Sequence, residues 1–550
     1  MIKIETDLIA IIKKALKKAF PEPSDKAAGA ISLEIPKEKK FGDFSANIAM
    51  RLSKDLRKPP LDIAADIIKH IEKSDIIRDI KVEKPGFINL YITSNAVLST
   101  LEDIIKEDAS YGCSSIGSGK KAQIEFVSAN PTGPLTVAHG RQAAIGDSLA
   151  RILKFCGYAV VKEYYINDEG VQMQALGKSV KARLMELTGG KSEFPENGYK
   201  GGYINEIAQK LKDSGVAERA QASSAPLSDD FFMEYSTKEI MGTIKKDLKD
   251  FDVNFDVWYS QRSLAKSGNI EKTLSILKNK GFLYEEDGAT WFKSTQFKDD
   301  KDRVVIKSDG SYTYVTPDIA YHREKFEQGY DKIIDILGPD HHGYINRIKA
   351  GCEALGYDSA KLHIMIAQLV TLYREGKPVR MSTREGEFIT LREVMNEIGK
   401  DAARFFFIMR RTESHLDFDM ALAKAQTLDN PVYYIQYAHA RISSIIEFSK
   451  NAQPNLDNLS LLDKEQEISL IKALMHYPKI IEVAAVNLEP SILLSYLQDL
   501  AGFFHAYYNA YRIVTDDKPL TEARIALIHT VKNVLASGLE LLGVTALEKM

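Results

Sequence analysis

The chain has 550 residues, of which 44% are hydrophobic and 27% are charged, and its formal net charge is −3. This length is too great for one compact core and predicts two to four domains. The near-neutral total neither indicates nor excludes a nucleic-acid partner, because a basic face can coexist with it. Cys113, Cys156 and Cys352 lie far apart and form no C-x-x-C pair, which argues against a disulfide framework or a cysteine zinc site.

The beginning of the chain does not resemble an export signal. MIKIETDLIAIIKKALKKAF places charged residues among apolar ones at helical spacing, without the apolar stretch and cleavage pattern of a secretory signal. No segment reaches the roughly 18 apolar residues that a membrane helix requires. We expect a cytoplasmic protein without a membrane partner, and we expect it to be a monomer.

Three regions differ in the texture of their sequence. Residues 1–115 mix helical patterns with short β-rich runs such as Phe87 to Ile92, and predict an α+β domain. Residues 121–425 alternate strand-like runs with helical patterns, which is typical of a parallel α/β sheet, and contain an insertion near 187–230 that is rich in Gly, Ser, Pro and charge. Residues 426–550 have helical periodicity almost throughout and predict an all-α bundle.

The most informative segment is QIEFVSANPTGPLTVAHGRQAAIGDSLARILKFCGY, from Gln123 to Tyr158. It predicts a strand at 124–127, a turn and a helix. In a parallel sheet such a helix starts at the carboxyl edge, where its unpaired amides and its dipole favour an anion. His139 and Gly140 fall there, an imidazole donor beside a residue whose missing side chain lets a nucleotide approach. The local pattern alone also fits a glycine-containing turn with a surface histidine.

A second segment, GKPVRMSTREG, runs from Gly376 to Gly386 and precedes a helix that begins near Leu391. Arg380 and Arg384 offer fork-shaped donors to phosphate oxygens. A displacement at an α-phosphorus needs positioning and charge stabilisation rather than a side-chain nucleophile. A solvated basic loop is the competing interpretation.

Together the two segments resemble the paired signatures of the class I aminoacyl-tRNA synthetases. The first resembles H-I-G-H, here Thr136-Val-Ala-His139, with Thr and Ala in place of the first His and the Gly. The run from Ser128 to Pro134 before it is typical of the arginine enzymes. The second resembles K-M-S-K-S, aligned on Arg380 to Arg384. The resemblance implies a Rossmann-like catalytic domain at 121–425, with ATP and its bound Mg²⁺ and no metal held by the protein.

The resemblance also implies site residues. The catalytic set is His139, Arg380, Ser382 and Arg384. The ATP-binding set is Thr136, His139, Gly140, Gly338, Asp340, His341 and Met381. His342 follows this run, and Asp-His-His suggests a metal, but no second cluster of ligands accompanies it.

The arginine-binding set is Glu125, Asn130, Tyr314, Asp318 and Gln368. These residue types suit arginine, because carboxylates accept the guanidinium fork, tyrosine packs against its plane, and the amides serve the α-groups. Taken singly, each has an ordinary structural explanation, as a surface or core residue.

The predicted RNA contacts lie at both ends of the chain. Aromatic residues interleaved with Arg and His in the helical region suit stacking of unpaired bases, although core packing would also explain them. The resemblance implies that Tyr434, Tyr437, Tyr508 and Met550 lie near the anticodon. It also implies that residues 1–115 contact the tRNA corner. Their basic residues, which a solvated surface would also explain, are Lys37, Lys39, Lys40, Arg51, Lys54, Arg57 and Lys58.

We therefore expect ATP-dependent attachment of L-arginine to tRNA(Arg) through an arginyl-adenylate. Two alternatives remain at this point. One is a class I synthetase for another amino acid, such as glutamate or cysteine. The other is a non-catalytic tRNA-binding paralogue, which only the altered signatures support.

Overall fold

The computed structural model describes residues 3–21, 31–36, 38–190, 192–216, 227–379, 388–449 and 454–550. Residues 380–386 of the second segment lie outside these ranges, and with them the predictions for Arg380, Met381, Ser382 and Arg384. Lys37 lies outside them too. Among the described helices, none is both long enough and apolar enough to cross a membrane.

An antiparallel sheet with helices forms the first part of the chain. Its elements are α1 (Lys3–Ala19), β1 (Leu33–Glu34), β2 (Phe44–Ala46), α2 (Ile48–Leu56), α3 (Pro60–Lys69), β3 (Ile77–Glu83), β4 (Phe87–Ile92) and α4 (Ser94–Glu107). The strand order is β1-β2-β4-β3. Helix α1 is amphipathic, since Leu8, Ile12 and Leu16 recur every four residues and are all buried. The α+β prediction and the strand predicted at 87–92 are confirmed.

A parallel sheet forms the middle of the chain. The elements of its first half are β5 (Lys121–Glu125), α5 (Val137–Phe155), β6 (Ala159–Ile166), α6 (Val171–Leu187), α7 (Gly202–Asp213), α8 (Asp229–Asp250), β7 (Val257–Ser260), α9 (Gln261–Lys266) and α10 (Asn269–Asn279). Those of its second half are β8 (Leu283–Glu286), β9 (Ala289–Phe292), β10 (Arg303–Ile306), α11 (Val315–Glu327), β11 (Lys332–Leu337), α12 (Ile345–Leu355), β12 (Leu362–Ile366), β13 (Val370–Arg374), β14 (Lys377–Pro378), α13 (Leu391–Ile398), α14 (Lys400–Ile408), β15 (Leu416–Asp419) and α15 (Met420–Lys424).

The predicted parallel sheet is confirmed, with the strand order β12-β11-β5-β6-β7. Strand β5 ends at Glu125, earlier than the predicted Val127. The reason is that Val127 and Ser128 have positive φ angles, 69° and 37°, which are incompatible with a strand. Two small sheets, β10-β9-β8 and β14-β13-β15, were not predicted.

The last part of the chain is helical, as predicted. Its helices are α16 (Pro431–Phe448), α17 (Glu465–Met475), α18 (Tyr477–Asn487), α19 (Ser491–Ala510) and α20 (Lys518–Leu541). Helix α4, from the first part of the chain, packs on α17 and α20. The Tyr111 hydroxyl, just after it, donates to the Leu474 carbonyl at 2.8 Å. The two ends of the chain therefore share one packed surface.

A buried ion cluster ties α5 to the end of α20. The Asp147 Oδ2 and Arg404 Nη2 atoms are 2.8 Å apart, and both side chains are fully buried. Arg404 also donates to the carbonyls of Phe251 and Leu542, at 3.0 Å each. Burial alone would raise the pKa of Asp147, but Arg404 and Lys162 outweigh it and lower the pKa to about 2. The cluster is therefore ionised and links the helix of the first signature to the helical region.

Candidate active site

A cavity of about 500 Å³ opens at the carboxyl edge of the parallel sheet. The predicted site residues that line it are Glu125, Asn130, His139, Tyr314, Asp318, Gly338, Asp340 and His341. They come from separate parts of the sequence and meet because the strands before them end at one edge. In the part of the chain that the structure describes, Thr136, Gly140 and Gln368 are not among the lining residues.

Three acidic side chains occupy one register row beneath this cavity. Glu125 on β5 pairs with Asp335 on β11 and with Glu163 on β6. The Nζ atom of Lys325, from α11, lies 2.5 Å from Glu125 Oε2 and 2.7 Å from Asp335 Oδ1, and the side chain is 1% exposed. The Nε2 atom of His322 lies 2.9 Å from Asp335 Oδ2. One ammonium group and one imidazole stand against three carboxyl groups, so the floor of the cavity is acidic on balance. Such a floor favours a cationic ligand.

The two carboxyl groups predicted to bind arginine have different surroundings. Glu125 is fixed by protein donors, accepting from Ser128 Oγ at 2.8 Å and from the Tyr321 hydroxyl at 2.9 Å as well as from Lys325. Burial, with Glu125 nearby, raises the pKa of Asp318 to about 7. Asp318 is therefore partly protonated at neutral pH, and a cation in the cavity would favour its charged form.

The first signature presents His139 as a neutral donor. The Thr136 backbone N–H donates to His139 Nδ1 at 3.1 Å, and Thr136 Oγ1 lies 3.1 Å from the same nitrogen. Burial lowers the pKa of His139 to about 4, so the ring is uncharged at neutral pH. Since Nδ1 accepts, the ring proton is on Nε2. Thr136, at the position of the first signature histidine, thus orients His139.

Gly140 and Gln368 are not among the described residues that line the cavity. A β-carbon on Gly140 would lie 2.8 Å from Leu391 Cδ1 and 3.0 Å from Phe407 Cε2, so the missing side chain lets α5 pack on α13 and α14. Gln368 Oε1 accepts from the Leu369 backbone N–H at 3.1 Å. The roles of both residues toward substrates stay predictions.

The turn after β5 holds the cavity wall in a strained shape. Val127 is β-branched, and its φ of 69° is a rare conformation for such a residue. Ser128 stabilises the turn, because its Oγ accepts from the Tyr165 backbone N–H at 3.1 Å and donates to Glu125. Strain of this kind concentrates at functional sites. The sequence gives no sign of it.

A second cavity, of about 650 Å³, lies in the helical region. Tyr437, Tyr508 and Met550 line it, whereas Tyr434, also on α16, is not among its described lining residues. Arg441, which was not among the predicted RNA-binding residues, places its guanidinium 4.4 Å from the ring centre of Tyr437 and 4.6 Å from that of Tyr508. Flat aromatic and guanidinium groups around an open cavity suit the stacking of unpaired bases.

The basic residues predicted to contact tRNA in the N-terminal region lie at its surface where their side chains are described. They are Lys40, Arg51, Lys54, Arg57 and Lys58, and all are exposed. Three of them, from Arg51 to Arg57, lie on α2 or directly after it. A cationic strip of this kind can contact phosphates without recognising bases.

Three family models match consecutive parts of the chain. The arginyl tRNA synthetase N terminal domain matches residues 6–92, the class I (R) tRNA synthetase catalytic domain matches 100–439, and the DALR anticodon binding domain matches 435–550. The arginine–tRNA ligase of Citrifermentans bemidjiense is 46% identical over 527 residues, 95% of each chain. That of Geobacillus thermodenitrificans is 45% identical, over 99% of this chain and 100% of the relative. The chain belongs to the arginyl-tRNA synthetase family.

A solved structure shows the same fold. Thermus thermophilus arginyl-tRNA synthetase aligns with 99% of this chain at a TM-score of 0.76 and 21% identity. As a class I aminoacyl-tRNA synthetase of the arginine family, this enzyme uses ATP to attach arginine to tRNA(Arg). Neither alternative from the sequence, a synthetase for another amino acid or a non-catalytic paralogue, is supported.

Sequence reasoning missed the acidic floor of this synthetase. Glu163, Lys325 and Asp335 were not among the predicted site residues. A signal was available, because each acidic residue interrupts an apolar strand, as in Ile333-Ile-Asp-Ile-Leu337. A charge inside a buried parallel strand needs a partner and is common at functional sites.

Proposed function

We propose that the cavity at the carboxyl edge of the sheet is where this synthetase joins arginine to ATP, forming arginyl-adenylate before transfer to tRNA(Arg). One observation carries the proposal: an acidic floor and a neutral imidazole donor line the same cavity. The acidic floor suits a guanidinium group, and the imidazole donor suits a phosphate chain. The two substrates would thus meet between β5 and β11.

In the arginine half, Asp318 would accept the guanidinium fork with Glu125 contributing a second negative group. Tyr314 stands at the rim, 57% exposed, where its ring could cover the plane of the guanidinium. Asn130 and Gln368 would serve the α-groups. For this, the hydrogen bond that Gln368 Oε1 accepts from the Leu369 backbone N–H would have to break.

In the ATP half, His139 would donate from Nε2 to the α-phosphate while an oxygen of the arginine carboxylate attacks the phosphorus. Pyrophosphate leaves, and charge develops on the phosphate oxygens, where a fixed donor stabilises the transition state. Gly338, Asp340 and His341 follow β11 and would contact the nucleotide, and α5 directs its N-terminus toward it.

The remaining predicted ATP contacts belong to the same half. Thr136 would act by orienting His139, and Gly140 by letting α5 pack. We assign Arg380, Met381, Ser382 and Arg384 to the pyrophosphate on the strength of the signature alone. Mg²⁺ would enter on the ATP phosphates and neutralise part of their charge. In the described part of the chain, no group of three or more His, Cys, Asp or Glu side chains could hold a metal.

For tRNA, we assign residues 1–115 and 426–550 to binding and residues 121–425 to chemistry. The cavity lined by Tyr437, Tyr508 and Met550 would receive anticodon bases, with Tyr434 beside it. The exposed basic residues of the N-terminal region would contact the tRNA corner. We further propose that the enzyme works as a monomer in the cytoplasm, since one chain carries all these surfaces.

Two substitutions test the two halves of the site separately. Asp318→Asn should raise the KM for arginine about 30-fold or more and leave that for ATP nearly unchanged, because losing one partner of a buried charge pair costs roughly 2–5 kcal/mol. His139→Ala should slow single-turnover adenylate formation about 10²-fold without weakening tRNA binding.

The control is Tyr357→Phe, which removes a hydroxyl from a ring packed on Phe326 outside the cavity. It should leave both KM values unchanged. An unaltered arginine KM in Asp318→Asn would remove the arginine half of the proposal, and adenylation insensitive to His139→Ala would remove the ATP half.

A further inference from the structure

Tyr165 is held in the wall of the active-site cavity without the use of its hydroxyl group. It lies on β6 and lines the cavity. Its ring lies 5.8 Å from that of Tyr259, nearly parallel at 14°, and 4.8 Å from that of Tyr321. Its backbone N–H donates to Ser128 Oγ, which in turn donates to Glu125. The orientation of the phenol is therefore fixed before any substrate binds.

The hydroxyl oxygen of Tyr165 is buried and has no hydrogen-bond partner among the described residues. Buried polar groups in native proteins nearly always have partners, and an unmet one is costly. The two rings that hold Tyr165 do satisfy theirs. The Tyr321 hydroxyl lies within hydrogen-bond distance of Glu125 and Glu163 and can donate its one proton to either, and the Tyr259 hydroxyl donates to Glu324 at 2.5 Å. Of these three tyrosines, Tyr165 is the one whose hydroxyl group has no partner among the described residues. This points to a ligand as its partner.

The charges around this hydroxyl indicate what the ligand supplies. Burial, then the charges of Asp318 and Glu125, raise the pKa of Tyr165, so the phenol stays neutral. The oxygen of a neutral phenol can accept an N–H from a cation. A guanidinium group has five N–H donors, and a bidentate carboxylate uses only two. Further acceptors are required if the group is to be fully paired.

We propose that Tyr165 is a specificity-determining residue for arginine, whose phenolic oxygen accepts an N–H of the guanidinium group. This rests on the proposed arginine half of the cavity. A site built to pair a particular substrate N–H discriminates strongly against analogues that lack it, because its own buried group is then left unpaired. Tyr165 would thus add to the discrimination that Asp318 provides through charge.

The experiment compares Tyr165→Phe with the native enzyme in tRNA(Arg) aminoacylation. This substitution removes one oxygen and keeps the ring that Tyr259 and Tyr321 hold. We expect the KM for arginine to rise about tenfold or more, as for loss of a hydrogen bond to a charged group. The KM for ATP and the apparent melting temperature should not change, and the matched control Tyr357→Phe should behave like the native enzyme.

An analogue identifies the substrate group that Tyr165 contacts. 1-Butylguanidine carries a guanidinium group on an alkyl chain but neither α-group of arginine, and its inhibition constant reports guanidinium binding alone. Tyr165→Phe should weaken this inhibitor and arginine by the same factor. If Tyr165→Phe weakens the binding of arginine but not that of the inhibitor, the proposed contact with the guanidinium group is wrong. If the variant also loses ATP affinity or has a lower melting temperature, the role of Tyr165 is merely structural.

Asp318→Asn, measured in the same series, separates this inference from the proposal beneath it. If Asp318→Asn raises the arginine KM and Tyr165→Phe does not, only the inference about Tyr165 is wrong. If neither substitution changes the KM for arginine, the proposed arginine half of the cavity is wrong, and the inference about Tyr165 is wrong too.

Discussion

The affinity of the enzyme for arginine should depend on pH through Asp318. Burial, with Glu125 nearby, raises the pKa of this carboxyl group from its ordinary value of 3.8 to about 7. The difference corresponds to about 4 kcal/mol of cost for ionising the empty site. A guanidinium beside the carboxylate favours the charged form and lowers the pKa again. Arginine binding below about pH 7 must therefore release a proton.

The sign and size of the effect follow from this linkage. Above about pH 7 Asp318 is already ionised, so arginine affinity should be constant. Below it, affinity should fall by up to tenfold for each pH unit, until the pH reaches the pKa of the occupied site. His139 does not titrate in this range, because burial holds its pKa at about 4. The KM for ATP should therefore change much less than that for arginine.

The measurement is isothermal titration of arginine at pH 6 and pH 8, in buffers of different ionisation enthalpy, which counts the protons released. We expect about one proton per arginine at pH 6 and almost none at pH 8. Asp318→Asn is the control and should release none at either pH, with uniformly weak binding. Equal affinity at both pH values in the native enzyme, with no proton release, would refute the link between burial of Asp318 and arginine binding.

Three further predictions concern stability and tRNA. Arg404→Met should lower the free energy of unfolding by about 3–5 kcal/mol, since it leaves Asp147 buried with one partner fewer. Chemical denaturation measures this free energy. The control is Lys106→Met, which breaks an exposed ion pair and should not change the free energy of unfolding measurably. Changing Arg51, Lys54 and Arg57 together to Gln should weaken tRNA(Arg) binding at low salt and flatten its salt dependence by about one unit of slope per lost phosphate contact; an unchanged slope would exclude these residues from the interface. Arginine-dependent ATP–pyrophosphate exchange should require tRNA(Arg), here supplied with an oxidised 3′ end. The reason is that the second signature has Thr383 where a lysine is usual, so we expect tRNA binding to supply part of the stabilisation that a second lysine would give the leaving phosphates. Strong exchange without RNA would contradict this.

The sequence was sufficient for features that repeat locally. Strand β4 and the strand–turn–helix unit from β5 to α5 follow from periodicity and turn residues, because those patterns act over a few neighbouring positions. Strand β5 was predicted too long, since the left-handed backbone at Val127 and Ser128 is stabilised by hydrogen bonds to Glu125 and Tyr165. No local pattern encodes such contacts.

The site was predictable in its residue types and much less in its arrangement. Glu125, His139 and Asp318 line one cavity, and their roles toward the substrates stay predictions. The packing of Gly140 against Leu391 and Phe407 was not foreseen, because these residues come from helices far along the chain. Its role toward the nucleotide stays a prediction. The acidic row across three strands depends on register, which becomes visible only when the strands are paired.

The cluster around Asp147 limits how far this enzyme is modular. Arg404 and Ser148 both donate to the Leu542 carbonyl, just after the last long helix, although they come from the catalytic half. An anticodon-binding bundle transplanted from another synthetase would have to place a carbonyl where that of Leu542 now lies. Otherwise one N–H donor of the buried Arg404 guanidinium would lose its hydrogen bond. The same holds for a truncated chain that stops before α20. Exchange of whole domains, the usual route to new combinations in multidomain enzymes, is therefore obstructed here by a single buried guanidinium.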